Sequence, residues 1–247
     1  MEKRNIGAII LAAGKGKRMN SKSVNKVALP LADKPMIAHA IALLEKAGIR
    51  KVVVVVGFAK KSVMDILGER VIFAEQKKRL GTAHAVSCGL NKMPKDTEDI
   101  LVINGDDSAL YTQNIIEKLI NTHFDSGASF TFLTIEREDP FGLGRVVRND
   151  KGKVLAVVEE KDASEAQREI KEVNPGCYLF KVSFLRKYLK KVEKSKVTGE
   201  YYLTSLIDIG IKNKEIIETL KAGFIPWRGV NTKDELLEAE RLYLNIK

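Results

Sequence analysis

A chain of 247 residues, 45% hydrophobic and 30% charged, can bury roughly 70–75% of its unfolded surface, and its composition excludes collagen-like, disordered and disulfide-scaffold classes. Its 42 Lys and Arg against 32 Asp and Glu leave a charge of +10, which points to an anionic partner: nucleic acid, membrane lipid or a phosphorylated small molecule. No apolar run approaches the ~18–20 residues of a membrane-spanning helix, and Met1 to Asn5 leads into a strand-like stretch without a small-residue cleavage site, so a cytoplasmic protein is expected.

In chain order, short apolar runs alternate with segments of helical periodicity, the pattern of strands crossing over through helices. Ile6 to Leu11 predicts a first strand, Pro35 to Ala47 a helix, and Lys51 to Val56 a second strand. Lys60 to Leu67 predicts a helix, Val71 to Ala74 a strand, Thr82 to Met93 a helix and Ile100 to Asn104 a strand. The stripe of Ile115, Ile116, Leu119, Ile120 and Phe124 predicts a helix over Gln113 to Asp125, before a strand over Ser129 to Ile135. Beyond Pro140, Asn149-Asp150-Lys151-Gly152 between Arg145 to Arg148 and Val154 to Glu159 predicts a hairpin, making the sheet mixed. Thr232 with Glu235 three residues on forms a capping box that opens a last helix, Lys233 to about Leu244. The expected fold is one α/β domain, an open, doubly wound, mostly parallel but mixed sheet with a smaller second lobe. Cys88 and Cys177 have small or apolar neighbours and read as buried reduced thiols, while His39, His84 and His123 show no metal-ligand spacing and read as structural. The basic run from Arg186 to Lys196 reads as a solvated helix and its exit.

The glycine-rich turn Leu11-Ala12-Ala13-Gly14-Lys15-Gly16-Lys17-Arg18-Met19 follows the first strand directly. Small residues there allow close backbone approach, and the exposed N–H groups form an anion-binding concavity. Met19 stands where both the Walker loop and the dinucleotide fingerprint need glycine, which argues against each. Lys15, Lys17, Arg18, Lys22 and Lys26 fall between Gly14 and Ala32 without one acid, at the strand end where open α/β sheets bind ligands. No aromatic interleaves this basic run, so a phosphorylated small molecule is favoured over nucleic acid.

Leu-Ala-Ala-Gly-Lys-Gly-x-Arg-Met, with Lys26-Val27 and Asp33-Lys34-Pro35-Met36, resembles the signature of sugar-1-phosphate nucleotidyltransferases. Glu75-Gln76, Leu80 to Ala85, Gly105-Asp106, Gly142 to Arg148, Val158 to Ala163, Gly199 to Thr204 and Gly229-Val230-Asn231 are similar to the uridylyltransferase domain of bacterial bifunctional N-acetylglucosamine-1-phosphate uridylyltransferases. The resemblance runs from about residue 6 to 240. It implies a Rossmann-like nucleotidyltransferase fold divided into a nucleotide lobe (1–140), a mainly sugar-binding lobe (141–228) and a metal-site loop with closing helix (229–247). It also implies transfer from UTP to N-acetylglucosamine-1-phosphate, giving pyrophosphate and UDP-N-acetylglucosamine, a cell wall precursor. The alternative within the superfamily is uridylyl or thymidylyl transfer to glucose-1-phosphate or another sugar-1-phosphate; outside it, a nucleotide- or nucleic-acid-binding module without turnover.

A phosphate monoester is already ionised near neutral pH, with a second pKa of about 6, so no general base is required. Cations, positioning and a metal must absorb the charge of two polyanions. The resemblance assigns Arg18 to the triphosphate, Lys26 to the α-phosphoryl group, and Asp106 with Asn231 to Mg²⁺. Backbone groups of Leu11, Ala12, Ala13 and Gly14, the Gln76 amide and the Gly81-Thr82 turn would read the base, Gln76 by donating and accepting in one plane. Asn104 and Gly105 fall beside them, and Gly144, Glu159 and Asn174 would hold the sugar. Four departures stand out: Lys17 replaces the usual Thr, Asn104 the usual aromatic before Gly-Asp, Asp107 adds a second carboxylate, and Pro175 after Asn174 replaces Thr. Pro175 removes an N–H and holds Asn174 extended. The chain ends at Lys247 without hexapeptide repeats, so the family's acetyltransferase half, a left-handed β-helix, is not expected in it, and a monomer or weak homo-oligomer is.

Overall fold

A computed structural model describes residues 5–16, 23–106, 110–227 and 229–246. Strand β1 (Ile6–Ala12) leads through a 3-10 turn at Lys26–Ala28 and a small ribbon, β2 (Pro30–Leu31) with β3 (Lys34–Pro35), to helix α1 (Met36–Lys46). Next come β4 (Lys51–Val56), α2 (Lys60–Leu67), β5 (Ile72–Glu75), α3 (Thr82–Leu90) and β6 (Asp99–Asn104). Helix α4 (Gln113–Asp125) precedes β7 (Phe130–Glu136), the hairpin β8 (Gly144–Arg148) and β9 (Val154–Val158), and the one-turn helix α5 (Glu165–Arg168). The chain continues through β10 (Glu172–Asn174), β11 (Cys177–Lys181), α6 (Val182–Tyr188), α7 (Ser205–Lys212), β12 (Ile217–Lys221) and α8 (Lys233–Ile246).

Among the described residues, ten strands make one mixed sheet in the order β5-β4-β1-β6-β11-β7-β10-β8-β9, with β12 alongside β7. The first four are mutually parallel, as is the β7–β12 pair; the remaining pairings are antiparallel. Central parallel strands are buried on both faces, and β4 shows it: Val52, Val54 and Val56 pack into the layer with α1, α2, α4 and α8, while Val53 and Val55 pack into the layer with α3, α6 and α7. The sheet is therefore doubly wound, as expected.

Three local expectations are corrected. Strand β5 lies one residue later than its apolar run, and α3 stops at Leu90 rather than Met93 because Asn91 caps it and Pro94 follows. Strand order lay beyond the sequence reading: β11, arriving from later in the chain, pairs between β6 and β7. Cys88 is only half-buried on α3, whereas Cys177 is fully buried on β11, and both are free thiols.

The feature that positions the site is a fork in the sheet. Strands β10 and β11 follow one another along the same edge of β7, with Val173 opposite Ile135 and Tyr178 opposite Phe132. Their other edges part company, because β11 pairs with β6 while β10 pairs with β8. Pro175 and Gly176 bulge out at the fork. Gly176 has φ +88°, the left-handed conformation that favours glycine, and a Cβ there would displace the end of the Asn104 side chain.

Candidate active site

The carboxyl ends of β1 and β6 and the segment after β5 open into a cavity of about 550 Å³, lined on one side by Leu11, Ala12, Ala13 and Gly14. Asn25, 1% exposed, fastens this turn: its amide donates to the carbonyls of Ala12 (3.0 Å) and Phe58 (2.7 Å), and its Oδ1 accepts from the Val27 N–H (3.1 Å). Sequence reading missed Asn25, since an isolated Asn carries no periodicity and shows its role only when distant carbonyls converge on it. Lys15 also lines the cavity and lies over the Phe58 ring, 5.8 Å from its centroid. Arg18, Lys17 and Asp107 lie outside the described residues.

Opposite the turn, Gln76, Gly81 and Thr82 come from the end of β5 and the start of α3. The Gln76 N–H donates to the Val56 carbonyl at 2.8 Å, which ties it to β4. Its side-chain nitrogen donates to the Gly81 carbonyl (2.9 Å) and lies 3.0 Å from His84 Nδ1. Both amide hydrogens are thereby engaged, so Gln76 has its oxygen to offer, not the donor–acceptor pair expected from its chemistry. Thr82 Oγ1 accepts from the Leu203 N–H at 2.9 Å and pins the 200–203 loop over the cavity. Gly81, at φ +112°, lies where a Cβ would strike the Tyr201 backbone. Of the histidines, His39 contacts the Leu31 carbonyl (2.9 Å) and His123 lies between Thr131 (2.8 Å) and Asp99 (3.2 Å), both buried in structural roles; His84 instead borders the site.

A second cavity, of about 280 Å³, fills the fork of the sheet and holds Gly144, Glu159, Asn174 and Asn231. The two cavities share Asn104 and Asp106 at their junction, together with Leu11, Thr82 and Glu200. Gly105 lines neither; its N–H donates to the Leu11 carbonyl (3.1 Å), and a Cβ would meet Ile37, Val27 and Ile10, so its role is close packing below the site. Asn174 lies in extended β10 as its following proline predicts, and its side chain is partly committed within the protein: Nδ2 donates to Tyr178 Oη (2.7 Å) and Oδ1 accepts from the Gly176 N–H (3.1 Å). Glu159 accepts from Thr204 Oγ1 at 2.8 Å, and burial pushes its carboxyl above the usual range. Tyr202 and Trp227 also line this cavity, unforeseen from the sequence because both lie in irregular segments.

At the junction the Lys26 ammonium is ion-paired with Asp106 and donates to Asn231 Oδ1 at 3.1 Å. Asp106 lies in the turn just past β6, Lys26 opens the 3-10 turn, and Asn231 is presented by the cap of α8, where Glu235 accepts from the Asn231 (2.6 Å) and Thr232 (3.0 Å) N–H groups. One carboxylate oxygen and one amide oxygen thus converge on a single cation, with the ammonium standing where a metal would bind. Among the described residues no cluster of three or more His, Cys, Asp or Glu could cage a metal. Such a sparse oxygen pair fits Mg²⁺, which takes one or two protein oxygens and fills its shell with waters and substrate phosphates.

A family model described as "Nucleotidyl transferase" matches residues 7–246. The chain belongs to this family. Among curated nucleotidyl transferase relatives, "Bifunctional protein GlmU" of Geobacillus thermodenitrificans is 41% identical over 236 residues, covering 95% of this chain and 51% of the relative. The protein of the same name from Limosilactobacillus reuteri is 40% identical over 246 residues, covering 99% and 53%. The chain spans about half the length of the curated relatives it matches. In fold it is similar to a Bacillus anthracis protein solved with a sucrose as a candidate glucose-1-phosphate thymidylyltransferase, with TM-score 0.79, 22% identity and coverage of 98% and 96%. This nucleotidyl transferase has, among its described residues, no helix long and apolar enough to cross a membrane.

Proposed function

We propose that this chain transfers the uridylyl group of UTP to N-acetylglucosamine-1-phosphate, releasing pyrophosphate. The observation that carries the reading is the junction: two cavities meet at Asp106, where Lys26, Asp106 and Asn231 are already assembled from three distant segments. The larger cavity takes the nucleotide, with its phosphates against the turn at Ala12 to Gly14 and its base toward Gln76 and Gly81. The smaller takes the sugar, whose hydroxyls donate to Glu159. Lys26 then turns from Asp106 to the α-phosphoryl group, and Arg18 neutralises the triphosphate tail. Asp106 and Asn231 would hold Mg²⁺, which when bound supplies positive charge to phosphate oxygens of both substrates. The attacking phosphate oxygen needs no base, and the chain's task is to align it with the α-phosphorus opposite the pyrophosphate. The residue-by-residue resemblance to uridylyltransferases and the shared identity with the GlmU proteins support this substrate pair. We assign the reaction to the cytoplasm, where its triphosphate substrate is made.

Pyrophosphate release across a panel of UTP, CTP and dTTP with N-acetylglucosamine-1-phosphate and glucose-1-phosphate is the test. Fastest turnover is expected with UTP and N-acetylglucosamine-1-phosphate. Faster turnover with glucose-1-phosphate would reassign the sugar, and no release with any pair would overturn the reading.

A further inference from the structure

The geometry points to His84 as a positioning residue that sets the hydrogen-bonding sense of Gln76, and through it the choice of base. This rests on the uridine site just proposed. The Gly81 carbonyl can only accept a hydrogen bond. It already accepts from the Ala85 N–H (3.1 Å) in the first turn of α3, so its direction is set by the helix. The Gln76 group 2.9 Å from it must therefore be the NH₂ and not the oxygen. The second amide hydrogen of that nitrogen meets His84 Nδ1 at 3.0 Å, which must then be an unprotonated acceptor.

A neutral imidazole with a bare Nδ1 carries its proton on Nε2, and Nε2 lies 3.9 Å from the sulfur of Cys88, a weak acceptor. His84 and Cys88 stand one helical turn apart on α3, so the helix itself aligns the contact. The chain of hydrogen bonds runs from His84 Nε2–H to Cys88, and from Gln76 NH₂ to His84 Nδ1 and Gly81. Gln76 Oε1 is left as the amide atom without a bond to any described residue, on a side chain only 4% exposed that lines the nucleotide cavity. A fixed acceptor there matches the N3–H of uracil and opposes the N3 lone pair of cytosine. His84 reads no substrate atom; it prevents the amide from turning its NH₂ to the base.

The tautomer can be observed directly by ¹⁵N NMR of the imidazoles, which a chain with three histidines makes tractable. The Nε2–H form is expected for His84; an Nδ1–H form overturns the proposal. Independently, kcat/KM for UTP and CTP is compared in His84→Leu and His84→Asn, the second keeping an acceptor oxygen near the place of Nδ1. His84→Leu is expected to lose about tenfold of the preference for UTP, the scale of one hydrogen bond, through KM for the triphosphate and without change in KM for the sugar phosphate. His84→Asn is expected to retain most of the preference. A folded His84→Leu with undiminished preference, or equal losses in both variants, overturns the proposal. If the wild type prefers neither triphosphate, the uridine site falls, and the tautomer alone then decides whether His84 sets the amide.

Discussion

Lys26 and Asp106 form an ion pair across the junction of the two cavities, so the cation assigned to the phosphoryl group and the carboxylate assigned to the metal neutralise each other before substrate enters. Replacing Lys26 has two opposite consequences. Turnover in Lys26→Met is expected to fall by roughly 10²–10³, the scale of removing one preorganised charge. Mn²⁺ titration of the nucleotide-free protein is expected to show tighter binding than in the wild type, because Asp106 no longer has an ammonium competing for it.

Asp106→Asn keeps the shape of the ligand and removes its charge. Turnover is expected to drop by at least about 10² and Mn²⁺ binding to weaken, since a hard divalent cation depends on a formally anionic oxygen. Wild-type turnover is expected to cease in excess chelator and to return with added Mg²⁺. Persistent pyrophosphate release in chelator would remove the metal from the reaction.

Glu159 couples the sugar site to stability. Burial raises its carboxyl pKa in the folded protein above that of the unfolded chain. The stability this group permits is therefore complete below the unfolded carboxylate range and is lost as pH rises through the folded value. Glu159→Gln retains the acceptor for Thr204 without the buried charge. Its Tm is expected to exceed that of the wild type by about 2–4 °C at neutral pH, as for a gain of ~1 kcal/mol, and to converge with it toward about pH 4. Its KM for the sugar phosphate is expected to rise. Melting curves across this range check the first outcome and steady-state kinetics the second.

Pro175 interrupts the strand at the fork and its carbonyl accepts from Tyr111 Oη at 3.1 Å, while Asn174 is held by Tyr178 and Gly176. Pro175→Thr restores an N–H beside the sugar cavity. The ratio of kcat/KM for N-acetylglucosamine-1-phosphate over glucose-1-phosphate is expected to shift by about fivefold, on the order of 1 kcal/mol for one hydrogen bond. Affinity for the triphosphate is expected to stay within error, because Pro175 does not line the larger cavity. An unchanged ratio would place sugar choice elsewhere.

The sequence by itself determined the parts of this protein that depend on neighbours along the chain. Helices α2 and α4 and strand β4 have the residue limits their periodicity predicts, and the Thr232–Glu235 cap starts α8 where expected. These succeed because burial of a stripe or a face, and capping of free N–H groups, are decided within a few residues. The glycine-rich turn was legible for the same reason: its small residues and uninterrupted basic run are local.

Tertiary structure decided what depends on distant partners. That β11 lies between β6 and β7, and that Asn174 to Gly176 splits the sheet, follows from strand pairings between segments far apart in sequence, which no local pattern encodes. Asn25 is such a case, and so is the pairing of Lys26 with Asp106 and Asn231. The orientation of Gln76 is the sharpest instance. Residue type allowed its amide to face the base either way, and only the Gly81 carbonyl and His84 Nδ1 select one, because a buried amide takes the sense in which each of its hydrogens finds an acceptor.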